Sequence, residues 1–239
     1  MSDTALARMA PGKRDALIAA AAHEFASHAA SQASLNRIIA ACGMSKSSFY
    51  HAFDSKDELL GLVVSTLVDR ARDDWSPPSP KDFAPDFWAT ASATWDEAMR
   101  VWPSSEALDL LWRIVWTDPQ HPALRDFHRA IDHWLDEVLI VGRRTGAVDA
   151  AVSPRLQTMA VTTLLRAFDE WTLRTTVPAP RDGTGALSDD DPAEAAQTAD
   201  STFSAQAGAG PDETRAGAIA RLGAEQFHLL RRLIAAADD

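Results

Sequence analysis

The chain has 239 residues, 46% of them hydrophobic and 24% charged, with a formal net charge of −11. That length can bury a substantial core in one or two domains, and no run of about 18 apolar residues is present to span a bilayer. The lone Cys42 excludes an internal disulfide, and no phosphate-binding glycine loop, nucleophile elbow or paired-cysteine metal motif supplies the parts of an enzyme.

The first residues, MSDTALARMAPGKR, lack the apolar core of a signal peptide, so residues 1–12 read as a disordered tail and the protein as cytoplasmic. Leu35, Ile38, Ile39 and Cys42 then follow the i, i+3, i+4, i+7 pattern of one buried helical stripe, with Ser31 or Ser34 available as its cap. Cys42 in that stripe reads as a small core residue. Gly43 can end this helix in the left-handed conformation at little cost.

A second short helix follows at once. Ser45 suits its N-cap, and Met44 with Phe49 has the spacing of a hydrophobic staple. At about 100° per residue, Phe49, Ala52 and Phe53 share one face and Lys46, Ser47, Tyr50 and His51 the other. One face packs and the other stays free for contact, so residues 13–54 read as a helix-turn-helix DNA-binding domain. Ser55-Lys56-Asp57-Glu58 then matches a capping box, and Leu59, Leu62, Val63 and Leu67 carry an amphipathic stripe through a connecting helix over 55–75, up to Pro77-Pro78. Asp57 and Glu58 suit the positive end of that helix dipole.

Gly43, Ser45, Tyr50, Phe53, Lys56, Leu59 and Leu60, at this spacing, resemble the signature of the TetR family of transcriptional regulators. The resemblance covers roughly residues 13 to 70 and implies that the helix from Ser45 to Ala52 enters the major groove of a double-stranded operator. It further implies that Tyr50 and Lys56 grip phosphates while Lys46 and Ser47 face the bases. The chemistry of the residues agrees, because a lysine or a tyrosine hydroxyl can hold a phosphate oxygen, whereas sequence is read by groups that reach base edges. Ser48 joins the readers on that argument, His51 could serve either task, and Ser34 and Ser45 complete the expected DNA-binding set. Ala29, Ala30, Ala33, Ile39 and Ala52 depart from the family pattern, the first two where a glycine and an aromatic residue are usual.

Charge is unevenly spread. Residues 1–56 hold six basic against four acidic side chains, a net of +2, which leaves −13 for the rest. The acid load lies away from the reading head, and the modest +2 predicts that affinity depends on dimerisation rather than on a dense basic stripe.

Residues 76–239 read as a helical regulatory and dimerisation domain, so the fold class is all-α. Helices are expected from Phe83 to Val101, Ser104 to Trp116, Pro122 to Arg144 (closed by Gly146) and Pro154 to Thr176, with a fifth at the end of the chain. Between the last two, residues 177–211 are rich in Pro, Gly, Ala, Asp and Ser and read as disordered. Leu156, Met159, Ala160, Thr163, Leu164, Ala167 and Trp171 form one apolar stripe. Ile219, Leu222, Phe227, Leu230, Leu233 and Ile234 form another. Paired across a two-fold axis, these helices would make a four-helix bundle, a homodimer with two reading heads and a pseudo-palindromic operator.

Seven of the eight tryptophans lie after the connecting helix, with Trp88, Trp95 and Trp102 seven residues apart on one helical face. Such rings usually pack a core, but together with polar groups such as Arg113, His128 and Asp169 they also suit an effector pocket for a small apolar or aromatic ligand. Trp88, Trp95, Trp112, Trp116, His128, Trp134 and Trp171 are its expected lining. His121, His128 and His133 lack the i, i+4 spacing of a metal pair, so no metal or cofactor is expected. The reading is a ligand-responsive dimeric repressor. An activator of the same fold is one alternative, and a helical adaptor that binds protein instead of DNA is another, favoured by the net acidity and the altered first turn.

Overall fold

The structure, a computed structural model, describes residues 9–176 and 214–236. Within them are nine α-helices: α1 (Pro11–Phe25), α2 (Leu35–Ala41), α3 (Lys46–Ala52), α4 (Lys56–Asp74), α5 (Phe87–Val101), α6 (Glu106–Thr117), α7 (Arg125–Thr145), α8 (Pro154–Thr176) and α9 (Arg215–Ile234). The described residues contain no strand, only an isolated bridge between Val148 and Ala235. Most of the expected tail and the whole 177–211 segment lie outside the described residues.

Two boundaries differ from expectation for local reasons. Helix α1 begins at Pro11, inside the expected tail, because proline at the first helical position costs no hydrogen bond there. The helix expected from Phe83 is interrupted: Pro80–Phe83 form a 3-10 turn, and α5 starts afresh where the Asp86 side chain accepts the Ala89 N–H at 3.0 Å. Gly146, with φ 76°, closes α7.

The core is divided among three clusters. The largest joins α1 to α4 with Ala107, Leu110, Leu111, Ile114 and Val115 of α6 and with Leu124, so the N-terminal domain is completed by a helix from the C-terminal region. A second packs α5, α7, α8 and α9 around Phe83, Phe87, Val138 and Leu139. The third sets Trp102 against Leu173 and Ile219. Val161 meets Leu230 and Ile234, while Leu173 meets Ile219, so α8 and α9 run antiparallel. Helices α5 and α9 approach closely at Gly223, where an added Cβ would lie 2.6 Å from Met99 Cγ. Only glycine fits that crossing without displacing Met99.

Among the described residues, no helix is long and apolar enough to cross a membrane.

Candidate DNA-reading head and effector region

Helix α3 forms where the sequence signals converge. Gly43 adopts φ 60°, the Ser45 hydroxyl accepts the Ser48 N–H at 3.1 Å, and Met44 is buried beside the helix it precedes. Phe49, Ala52 and Phe53 are buried, and the Phe49 and Phe53 rings stack at 5.3 Å. The opposite face is open: Lys46, Ser47, Ser48 and His51 are exposed, and Tyr50 is 54% exposed with its ring edge-on to Phe49. A short helix with one anchored face and one bare polar face suits insertion into a groove.

Two serines of the expected DNA-binding set are occupied as caps. The Ser34 hydroxyl accepts the Arg37 N–H at 3.3 Å, and Ser45 caps α3 as above. Lys56 is turned toward the protein: its Nζ donates to the carbonyls of Ala33 at 2.8 Å and Ser31 at 3.4 Å, tying α4 to the turn before α2. The capping box of α4 is also altered. Ser55 Oγ accepts the Glu58 N–H at 3.2 Å, but the Glu58 carboxylate takes the N–H of Asp54 at 2.7 Å, one residue earlier than expected. Leu35 and Cys42 are half-buried, so the α2 stripe is anchored by Ile38 and Ile39.

Glu24, which the sequence pattern did not single out, orients α1 against α2. Its carboxylate accepts the Ser34 N–H at 2.7 Å, Arg37 Nη2 at 2.6 Å and Arg37 Nε at 3.0 Å. Burial pushes the Glu24 carboxyl up, yet the hydrogen bonds from Arg37 and Ser34 outweigh it and leave the group below its ordinary value.

The C-terminal region grips the head directly. Asp118 Oδ2 accepts the Ala30 N–H at 3.2 Å, and the Thr117 hydroxyl donates to the Ala26 carbonyl at 3.2 Å, so the end of α6 holds the first turn where the departures at Ala29 and Ala30 fall. His121 Nδ1 accepts the Ala123 N–H, which leaves the proton on Nε2, 3.4 Å from the Asp57 carboxylate at the start of α4. One short segment, residues 117–121, therefore contacts both the first turn of the head and the start of α4.

Several expected ligand residues have backbone partners. The indole N–H of Trp88 donates to Ala147 O at 3.1 Å, that of Trp95 to Gly223 O at 2.8 Å and that of Trp134 to Pro78 O at 2.9 Å. Each ring is an anchor between helices or to a loop, because a buried indole N–H needs an acceptor. Trp171 is 38% exposed on the outside of α8. His128 lies with His121, His133, Arg125, Asp132 and Asp136 around a polar surface hollow of about 640 Å³, where burial, then Arg166, lowers its pKa. Among the described residues, no group of His, Cys, Asp or Glu is arranged to hold a metal ion. Trp112 and Trp116 do remain together, packed against the Trp102, Leu173 and Ile219 cluster.

Asp169 on α8 has no hydrogen-bond partner among the described residues, and burial pushes its carboxyl up to about 8. An acid that keeps its proton on folding makes the folded state the stronger proton binder. Stability then falls as pH rises from the ordinary carboxylate value of 3.8 toward about 8, and levels off above that. Asp169→Asn should remove this slope, so its Tm relative to the unaltered protein rises with pH across that window. A Tm difference that stays constant with pH would assign the slope elsewhere.

The dimer stripes divide. Leu222 and Leu230 are buried within the protomer, Leu164 is half-buried on the second core, and Phe227 lies half-buried against Trp88 and Trp95. Leu156, Met159, Thr163 and Ala167 on α8 and Leu233 on α9 are exposed, joined by Leu229 and Trp171. The helical period predicts that a stripe is buried, but not which molecule covers it.

Residues 17–63 match the family model for bacterial regulatory proteins, tetR family. A TetR family transcriptional regulator from Chloroflexus aurantiacus J-10-FL is similar in structure with a TM-score of 0.61 at 15% identity, covering 96% of each chain. A protein described as a tetR family transcription regulator, from Shewanella sp. PV-4, has a TM-score of 0.54 at 16% identity, over 94% of this chain and 99% of its own. At that identity the likeness establishes a shared fold. No curated protein matches the sequence significantly.

Proposed function

We propose that this chain, which carries the N-terminal domain of the tetR family of bacterial regulatory proteins on that family's all-helical fold, is a dimeric, ligand-responsive repressor of transcription. The observation that carries the reading is α3, whose buried Phe49, Ala52 and Phe53 leave Lys46, Ser47, Tyr50 and His51 bare to solvent. On that surface Lys46 and Ser47 read base edges and Tyr50 holds a phosphate. Lys56 acts chiefly by fixing the turn at Ser31 and Ala33, and through it the pose of α2 and α3.

The uncovered apolar residues of α8 and α9 support a homodimer, which supplies the second head that a weakly basic first head needs. Ligand response is supported by α6. One side of this helix belongs to the core of the head, its end holds Ala26 and Ala30, and Trp112 and Trp116 join the third cluster. A ligand that prefers a shifted α6 would move the heads off their operator spacing. A hundredfold loss of operator affinity requires about 2.7 kcal/mol of differential binding.

The direct test is a gel shift, over a salt series, with the DNA upstream of the chain's own gene. A shift at low salt that weakens as salt rises supports the reading, while no shift at low salt favours a protein-binding adaptor. Within the head, Tyr50→Phe should weaken binding to every sequence alike. Ser47→Ala or Lys46→Ala should instead change the preferred base, by about 1–3 kcal/mol at one operator position. Uniform loss across operators from Ser47→Ala would remove that residue from the readers.

A further inference from the structure

Four buried side-chain polar atoms among the described residues have no hydrogen-bond partner: Trp102 Nε1, Arg113 Nε, Trp116 Nε1 and Arg215 Nε. All four are N–H donors, and they come from one neighbourhood, where the chain leaves α5 through Trp102 and meets α6 and the first turn of α9. Trp102 is almost wholly buried with Leu173 and Ile219, and Trp112 and Trp116 pack on the same cluster. The Trp102 and Trp112 rings lie 6.2 Å apart at 52°.

The charge beside this wall is unbalanced. Asp109 is shared by Arg113, whose Nε is 2.9 Å from Oδ2 without the alignment of a hydrogen bond, and by Arg215 Nη2 on Oδ1. Two guanidinium groups thus face one carboxylate, and neither has another acceptor among the described residues.

We propose that this donor-rich, aromatic-walled site takes an aromatic acid, its carboxylate held by Arg113 and Arg215 and its ring seated among Trp102, Trp112 and Trp116. Unpaired donors call for an acceptor, and paired guanidinium groups favour an anion with two oxygens. A cationic ligand would leave all four donors unmet and face a net positive pair. The proposal rests on the effector reading above and names the chemical class of the effector.

Isothermal titration of the full chain with indole-3-acetate, indole-3-acetamide and tryptamine separates the charges on one ring system. The acid should bind at least about tenfold more tightly than the amide, and tryptamine more weakly than both. Arg113→Met should erase the preference for acid over amide, and Arg113→Lys should keep part of it. Trp116→Phe, which keeps a ring but removes a donor, should weaken the acid several-fold. Circular dichroism and Tm establish that each variant is folded. Binding led by tryptamine and lost in Asp169→Asn, acid affinity untouched by Arg113→Met, or no binding by any of the three probes would each overturn the proposal. A gel shift with the same acid keeps the two readings apart: if the acid binds as expected but DNA affinity does not change, the switch fails and the site stands.

Discussion

Replacing Met159 and Leu233 together with glutamate is expected to yield a monomer by sedimentation and to lower operator affinity at least about a thousandfold, the lower end of the gap between specific and non-specific binding. Both side chains are 58% exposed in the protomer, so the change should spare the protomer's own core. In a dimer, however, it would bury carboxylates in an apolar contact without partners. Loss of the second head matters here more than in a strongly basic protein, since residues 1–56 carry a net of only +2. A second readout guards against misfolding: the Tm of the unaltered protein should rise with concentration, and that of the variant should not. An unchanged sedimentation coefficient would show that α8 and α9 are not the interface.

Phe49→Ala should act by a different route, destabilising the head by about 3–5 kcal/mol, the cost of emptying a fully buried aromatic site. Phe49 is completely buried, stacks on Phe53 and supports the ring of Tyr50, so its loss frees α3 from its only anchored face. Against a total stability of about 5–15 kcal/mol, this is enough to abolish a gel shift well below the normal unfolding temperature. Chemical denaturation measures it, with Tyr50→Phe as the contrast, for which stability should change by no more than about 0.5 kcal/mol while DNA binding falls. A loss below about 1 kcal/mol for Phe49→Ala would mean that α3 is held chiefly by other contacts.

The contrast between these two residues shows what the sequence could and could not convey. Ser45, Gly43, Met44 and Phe49 act over one or two turns, so their roles as cap, turn and staple are visible in their spacing. Lys56 was legible as a cation near DNA but not as a clasp on Ser31 and Ala33, because that pairing spans more than 20 residues. The bond from Ala30 to Asp118 spans 88 positions and leaves no periodic trace. Tryptophans gave the weakest signal. Nothing in the spacing of Trp88 and Trp95 separates rings whose N–H meets a carbonyl from Trp102 and Trp116, whose N–H meets none.

The sharing of α6 between two cores bears on how such a molecule can be taken apart. Ala107, Leu110, Leu111, Ile114 and Val115 complete the packing of α1 to α4, although the polypeptide has by then passed well beyond the connecting helix. A fragment ending at residue 75 would therefore expose the apolar seat that α6 fills, and would lose the bonds from Thr117 and Asp118 as well. Chimeras that join this head to a foreign domain should place the junction after Leu124, where the shared core closes, so that the portable unit includes part of what sequence alone assigns to the C-terminal domain.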